Sequence, residues 1–254
     1  MLYKPLMNAH ERHQRILAIL EKRRRAGATE LQTATGASAA TLRRDLDFLE
    51  GQDLVVRIHG AVLHPSAAAS EPSLLQKSRS AVEAKRQMAS VATDLVPDRA
   101  TVFVDSGTTC LEAARLLRVR SDLTLITNSL PVIAGHEQFR AKLIVIGGER
   151  RALSGALVGN LAAAGLTGLK ADIALIGASG LDPLSGPGTT ELLEREIKAS
   201  WINNARRTVL LCDAGKWASA SAMGFAKWSD ITDFVTDRKP PTAFRPKTTK
   251  THIS

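Results

Sequence analysis

From Thr101 to Thr236 the chain alternates β-rich runs with helical patterns, and each early run ends in small or polar residues. "TVFV" leads into Asp105-Ser106-Gly107-Thr108-Thr109, "LTLIT" into Asn128-Ser129 and "KLIVI" into Gly147-Gly148. "DIALIGA" leads into Ser179-Gly180, "TVLLCD" into Ala214-Gly215-Lys216, and "ITDFVT" comes last. Such alternation predicts an α/β domain with a mostly parallel sheet. Ligands of these sheets bind beyond the carboxyl ends of the strands. The run ends therefore nominate one pocket, built from Asp105 to Thr109, Asn128, Ser129, Ser179, Gly180, Asp213 and Lys216. Within it, "VFVDSGTTCLEAARLL" (102–117) turns a strand through hydroxyl residues into a helix. That turn offers backbone N–H groups and a positive helix end, a seat for phosphate.

The first 65 residues carry a different pattern. Glu11 to Arg24 reads as a helix with Ile16, Leu17 and Leu20 on one face, and a short helix, "ATELQTAT", follows Gly27. Gly36 makes a turn and Ser38 is placed to N-cap "AATLRRDLDFLEGQ". There Leu42, Leu46 and Leu49 form one buried stripe, which turns Ala40, Thr41 and Arg44 outward with Arg43 at the flank. Two short β-rich runs broken at His59-Gly60 complete the order of a winged helix-turn-helix. In such a domain the third helix enters the major groove and the hairpin reaches the neighbouring backbone or minor groove. Ser38, Thr41, Arg43 and Arg44 of the helix, with Arg57 and His59 of the hairpin, are the expected DNA contacts. A guanidinium can bond two acceptors of guanine or a phosphate. Asp45 and Asp47 are expected to hold those arginines.

Charge placement agrees with a polyanionic partner. The formal charge is +9, with ten Lys/Arg against seven Asp/Glu in residues 1–65, four against two in 66–86 and five against none in 238–254. The body between, 87–237, is left with one net negative charge. A near-neutral body with basic flanks suits a duplex gripped from the ends. The final segment, "RKPPTAFRPKTTKTHIS", is Pro-rich, basic and poor in large apolar residues, so it is expected to be disordered.

No apolar run reaches the roughly 20 residues of a membrane helix, and the N-terminus lacks a signal-peptide core, so a cytoplasmic protein is expected. Cys110 and Cys212 sit in different segments and read as packed thiols. No His/Asp/Glu cluster has metal-ligand spacing, and "DSGTTC" is not the glycine pattern of a dinucleotide site, so neither metal nor cofactor is implied. One Tyr, three Trp and six Phe make a poor platform for stacking single-stranded bases.

The segment "ILAILEKRRRAGATELQTATGASAATLRRDLDFLEGQDLVVRIHGAV" resembles the N-terminal domain of the DeoR family of bacterial repressors. Ser38, Thr41, Leu42, Arg43, Arg44, Asp45 and Leu46 match the family's Ser-x-x-Thr-[Ile/Leu]-Arg-Arg-Asp-Leu run. The wing has one glycine fewer than the family's His-Gly-Gly-Ala. The second half resembles the family's sensor domain, similar in fold to ribose-5-phosphate isomerase. Asp105-Ser106-Gly107-Thr108-Thr109 matches its Asp-x-Gly-Thr-Thr loop, and Thr127-Asn128-Ser129 its Thr-Asn run. Gly159-Asn160-Leu161-Ala162 resembles its Gly-Pro-x-Ala, with Asn for Pro. Glu194 and Lys198 match its Glu-x-x-x-Lys helix, and Asp213 and Lys216 its Asp-x-x-Lys.

The resemblance implies a winged helix-turn-helix domain (1–64), a linker (65–79), an α/β effector-sensing domain (80–237) and a basic tail (238–254). It implies a regulator of a carbohydrate or polyol operon, acting as a repressor, that binds a double-stranded DNA operator and is released by a phosphorylated sugar. Half-site reading implies a homo-oligomer, dimer or tetramer. The alternative is a sugar-phosphate isomerase-like enzyme with an appended DNA-binding domain, using Asp182, Glu194, Lys198, Asp213 or Lys216 as acid and base. Against it, "ASGLD" offers a single acid and "GPGTT" lacks the lysine that the isomerase carries there. Simpler roles also exist: Glu194 and Lys198 pairing across a helix turn, and Asp105 capping the following helix. In the sensor reading, the 105–109 loop seats phosphate with Lys216 as counter-charge, and Asp105 takes sugar hydroxyls.

Overall fold

The computed structural model of the chain describes residues 7–23, 25–52, 54–58, 61–63, 72–217, 223–244 and 249–254. They separate into two units, 1–72 and 73–254. In the first, α1 (Ala9–Arg23), β1 (Arg25–Gly27), α2 (Ala28–Thr35), α3 (Ala39–Gly51), β2 (Val56–Ile58) and β3 (Ala61–Leu63) follow in order. The leucine stripe of α3 behaves as its spacing predicts: Leu42, Leu46 and Leu49 bury against Ile16, Leu20, Leu31 and Val62. Gly36 ends α2 with φ +68, a left-handed turn that favours glycine. β2 and β3 form the expected antiparallel hairpin, and β1 adds a third strand on the far side of β3. The sequence reading missed β1 because three residues, "RAG", carry no periodicity. His59, expected at the wing, lies outside the described residues.

The second unit begins with α4 (Leu74–Arg79) and α5 (Val82–Asp94). There follow β4 (Thr101–Val104), α6 (Thr108–Leu117), β5 (Thr124–Thr127), α7 (Leu130–Ala134) and β6 (Lys142–Val145). A ribbon of β7 (Glu149–Arg150) and β8 (Leu157–Val158) leads to α8 (Asn160–Gly165) and β9 (Ala171–Gly177). After β10 (Gly180–Asp182) and β11 (Gly186–Thr189) come α9 (Leu192–Asn204) and β12 (Ala205–Leu211). The chain closes with β13 (Met223–Gly224), β14 (Asp233–Thr236) and β15 (Lys250–Ile253).

Seven strands make one sheet in the order β15-β14-β12-β9-β4-β5-β6, and every neighbouring pair is parallel. Alternate side chains feed two cores. Phe103, Ile126, Leu210 and Phe234 pack on one face with Trp201 of α9. Val102, Val104, Leu125, Leu175 and Val209 pack on the other with Met88 of α5 and Ala113 of α6. The strand order reverses at β4: β5 and β6 extend to one side of it, and β9 to β15 to the other. A crevice opens at such a switch point, beyond the ends of β4 and β9.

Two expectations of domain layout need correction. The tail is ordered at its end, where β15 supplies the seventh strand. Its short polar run shows little periodicity, but parallel pairing with β14 uses backbone groups that any residue carries. Side chains reinforce it: the Thr249 hydroxyl donates to the Trp228 and Ile231 carbonyls, and His252 Nε2 lies 2.8 Å from Asp233 Oδ1. The second half of the expected linker is likewise structured, since α4 occupies residues 74–79 with a Ser73–Gln76 capping box. A small antiparallel sheet of β10, β11 and β13 was also not foreseen. Its "GPGT" strand reads as a loop, yet Gly186 (φ +101) is required there, because a Cβ would sit 2.5 Å from the Ala226 carbonyl oxygen.

Asp233 ties the late strands together. Burial pushes its carboxyl up, but hydrogen bonds from Arg207 and His252 outweigh that and hold it at about 2. A depressed carboxyl contributes stability above its unfolded pKa, near 4, and loses it as pH falls through the folded value. Equilibrium unfolding followed from pH 7 downward is expected to show an acid-labile component between about pH 4 and 2 that Asp233→Asn lacks.

Candidate functional site

In the first unit, the recognition-helix face is built by what holds it from behind. Asp45 is buried, and its carboxylate accepts from Arg12 Nε at 2.6 Å and Nη2 at 2.9 Å, with His13 Nε2 at 3.1 Å. The Arg12 guanidinium thereby lowers the pKa of Asp45 despite burial. Asp47 engages Arg57. The expectation that these acids hold Arg43 and Arg44 is corrected: Asp45 takes Arg12 and Asp47 takes Arg57, so they fasten α3 to α1 and to the hairpin. Arg43 and Arg44 stay exposed and form no ion pair among the described residues. Ser38 caps α3, accepting the Thr41 N–H at 3.2 Å, and the two hydroxyls are 2.9 Å apart. Arg57 is partly covered, and its N–H also donates to Glu50.

In the second unit, β4 delivers Asp105 to the switch point. The buried Asp105 carboxylate accepts from the Gly177 N–H at 2.9 Å and from the Lys198 ammonium. Lys198 also donates to the Gly177 carbonyl at 3.0 Å, so one residue of α9 joins the ends of β4 and β9. Burial opposes its charge, but the carboxylates of Asp105 and then Glu194 prevail and raise its pKa. Asp105 is therefore neither a helix cap nor free for sugar hydroxyls, two corrections with one cause: its acceptor faces inward to Lys198. Nor do Glu194 and Lys198 pair with each other. Glu194 accepts from Arg151 at 3.0 Å and from the Thr189 hydroxyl at 3.3 Å.

Above this pair lies a cavity of about 40 Å³, room for a few waters or one compact polar group. Ser106, Gly107, Thr108 and Thr109 form one wall, at the start of α6, whose N-cap Gly107 offers no side-chain bond to the first-turn N–H groups. Ser179, Glu194, Lys198 and Lys216 line it as well. Lys216 donates to the Ala178 carbonyl at 2.9 Å and stands 3.7 Å from Asp213. Gly107 has an ordinary φ of −67, and a Cβ there would meet only normal contacts, 3.7 Å from Gly177 Cα. Glycine is thus not demanded at 107.

Five nominated residues, Asp105 among them, do not reach the cavity wall. Asn128 donates to the Leu157 carbonyl. Ser129 is buried beside β8 through a bridge to Ala156. Gly180 belongs to β10, and Asp213 accepts the Gly215 N–H. Five contributors were missed: Leu74 and Lys77 of α4, Ser154 of the β7–β8 turn, and Gly177 and Ala178 at the end of β9. The first two sit in what reads as a linker, and only the fold brings them to the switch point. Cys110 and Cys212 are buried, and burial raises both thiol pKa values, that of Cys212 to about 12.

Comparison with known proteins matches both units. Residues 12–67 fit the DeoR-like helix-turn-helix domain and residues 80–238 the DeoR C terminal sensor domain. The chain belongs to the DeoR family. It is similar to the glycerol-3-phosphate regulon repressor of Escherichia coli (28% identical, covering 97% of this chain and 98% of that one). It is also similar to the HTH-type transcriptional regulator GlpR of Haloferax volcanii (31% identical, 89% of each). A solved ribose 5-phosphate isomerase A from Methanocaldococcus jannaschii overlaps with 21% identity and a TM-score of 0.40, over 55% of this chain and 56% of that one. This DeoR-family chain is thus a DNA-binding transcriptional regulator with a sensor domain. Among the described residues no helix is long and apolar enough to cross a membrane.

Three substitutions separate the roles of charge in this DeoR-family protein. Lys198→Met leaves Asp105 buried without its cation and is expected to destabilise the second unit by about 3–5 kcal/mol in denaturant unfolding. Arg43→Ala and Arg44→Ala are expected to leave stability within about 0.5 kcal/mol. Each should weaken specific DNA binding by about 1–3 kcal/mol in titrations against cognate and random duplexes.

Proposed function

We propose that this regulator represses a carbohydrate or polyol catabolic operon and leaves its operator when a phosphorylated sugar sets its phosphate in the β4–β9 cavity. The observation that carries this reading is the convergence, at one switch point, of the α6 N-terminus, three hydroxyls and the ammonium of Lys216. Unpaired N–H groups at a helix start and a lysine on the opposite wall are what a phosphate monoester needs. The relatives support the chemical class, since one is named for the glycerol-3-phosphate regulon and another as a putative aga operon repressor. The winged unit supplies the output, reading operator half-sites as a homo-oligomer in the cytoplasm. The site works as a sensor and not as an enzyme: Lys198 is neutralised by Asp105, and Glu194 is engaged by Arg151.

An operator mobility shift with and without sugar phosphates tests the reading. Wild-type protein is expected to release DNA with one member of the panel, whereas Thr108→Asp, which sets a carboxylate where the anion sits, should keep DNA binding and lose release. A folded Thr108→Asp protein that releases DNA at the wild-type effector concentration removes the phosphate from this loop. Glu194 lines the cavity, so the same sugar phosphates are to be assayed for aldose–ketose conversion. Turnover at ordinary enzyme rates, about 1 s⁻¹ or faster, supports the isomerase alternative instead.

A further inference from the structure

The helix α4 is the first element of the sensor unit, and none of its residues is buried. Two polar clips hold it. At its start the Leu74 N–H donates to the Leu153 carbonyl at 2.7 Å, in the β7–β8 turn that also lends Ser154 to the cavity. At its end the ammonium of Lys85, a residue only 4% exposed, donates to the carbonyl of Lys77 and, at 2.7 Å, to that of Ser80. A buried ammonium is costly to place. Here its partners are oxygens of Lys77 and Ser80, with no ion pair among the described residues. Lys85 thus serves as a fastener for α4, and what it fastens is the helix that carries Lys77.

Leu74 and Lys77 are three residues apart, on one face of α4, and both line the cavity across from Ser106–Thr109. Lys77 and Lys216 therefore converge on one small space, with Lys85 behind them. Burial lowers the pKa of Lys85, and the neighbouring charges of Lys216 and Lys77 lower it further. Asp213 and Glu112 oppose those lysines at Lys85, and a dianion at the α6 N-terminus would meet the ammonium groups of Lys77 and Lys216.

We propose that Lys77 is the closing ligand of the effector's phosphate and that α4, through it, is the element that registers whether the cavity is filled. The proposal rests on the cavity being the phosphate seat. Because α4 buries no side chain, a few polar bonds account for its docking, and one new charge-assisted bond is a large addition to them. A ligand that contacts Lys77 binds the docked state of α4 better than the undocked one, so it shifts the population toward docking. The segment before α4 in the sequence belongs to the DNA-binding unit, so a change in α4 is a change at the start of the sensor's own fold.

Hydrogen exchange of the 74–79 amides and calorimetry on the full-length chain test this, with glycerol 3-phosphate and inorganic phosphate as probes. In the wild type a bound probe is expected to slow α4 exchange. Lys77→Ala should weaken probe binding about ten- to a hundredfold and abolish the slowing, while Lys77→Arg keeps both. Without probe, Lys77→Ala should keep the wild-type circular dichroism spectrum and a single cooperative unfolding transition, which separates a lost contact from a lost fold. If Lys77→Ala binds with wild-type affinity, or α4 still slows, the inference falls and the seat at Ser106–Thr109 stands. If the wild type binds neither probe, or Thr108→Asp binds them unchanged, the seat itself is wrong and the inference falls with it.

Discussion

The ion pair of Asp105 and Lys198 is the constraint on which the sensor unit depends. It sits where the strand order reverses, and it joins the loop after β4, the end of β9 and the body of α9 in one buried contact. Two charges out of water are tolerated only when their remaining hydrogen-bonding capacity is met. The Gly177 N–H and carbonyl meet it here. The 106–109 loop above the pair lines the cavity.

The same division of labour recurs in the DNA-binding unit. Asp45, held by Arg12 and His13, locks α3 against α1 from the inside. Asp47 and Glu50 reach Arg57 of the wing. Arg43 and Arg44 are left exposed on the outer face of the same helix. In both units a buried acid, Asp45 in one and Asp105 in the other, is turned to internal fixing.

Glu194, on the wall of the cavity, has both carboxylate oxygens engaged by the fold. A carboxylate with one oxygen bonded to Arg151 and the other to the Thr189 hydroxyl has its direction fixed. A general base needs a free lone pair within reach of the substrate's proton. Asp182, the other acid near the glycine-rich ribbon, accepts N–H groups of Leu184 and Ser185 in its own turn, and those bonds lower its pKa. Both acids are occupied with structure.

The sequence by itself determined the elements whose burial follows a period: the leucine stripe of α3, the β-rich runs from Thr101 onward and the hydroxyl-rich turn into α6. Period and turn chemistry are local, so they are written in consecutive residues. It also determined the membership of the site as far as strand ends reveal it, which covers Ser106 to Thr109, Ser179 and Lys216. Tertiary structure alone decided the rest. β15 is a strand because β14 offers an edge, and not because "KTHI" demands it. Asp105 turned inward because Lys198, ninety-three residues later, arrives beneath it. Asn128 and Ser129, at the end of β5, stayed off the cavity wall because strand order, which no local pattern encodes, placed the crevice between β4 and β9. Lys77 reads as linker in sequence and becomes a wall of the cavity only when Lys85 and Leu153 hold α4 in place. Local propensity fixes what an element is; pairing and long-range charge fix which elements meet.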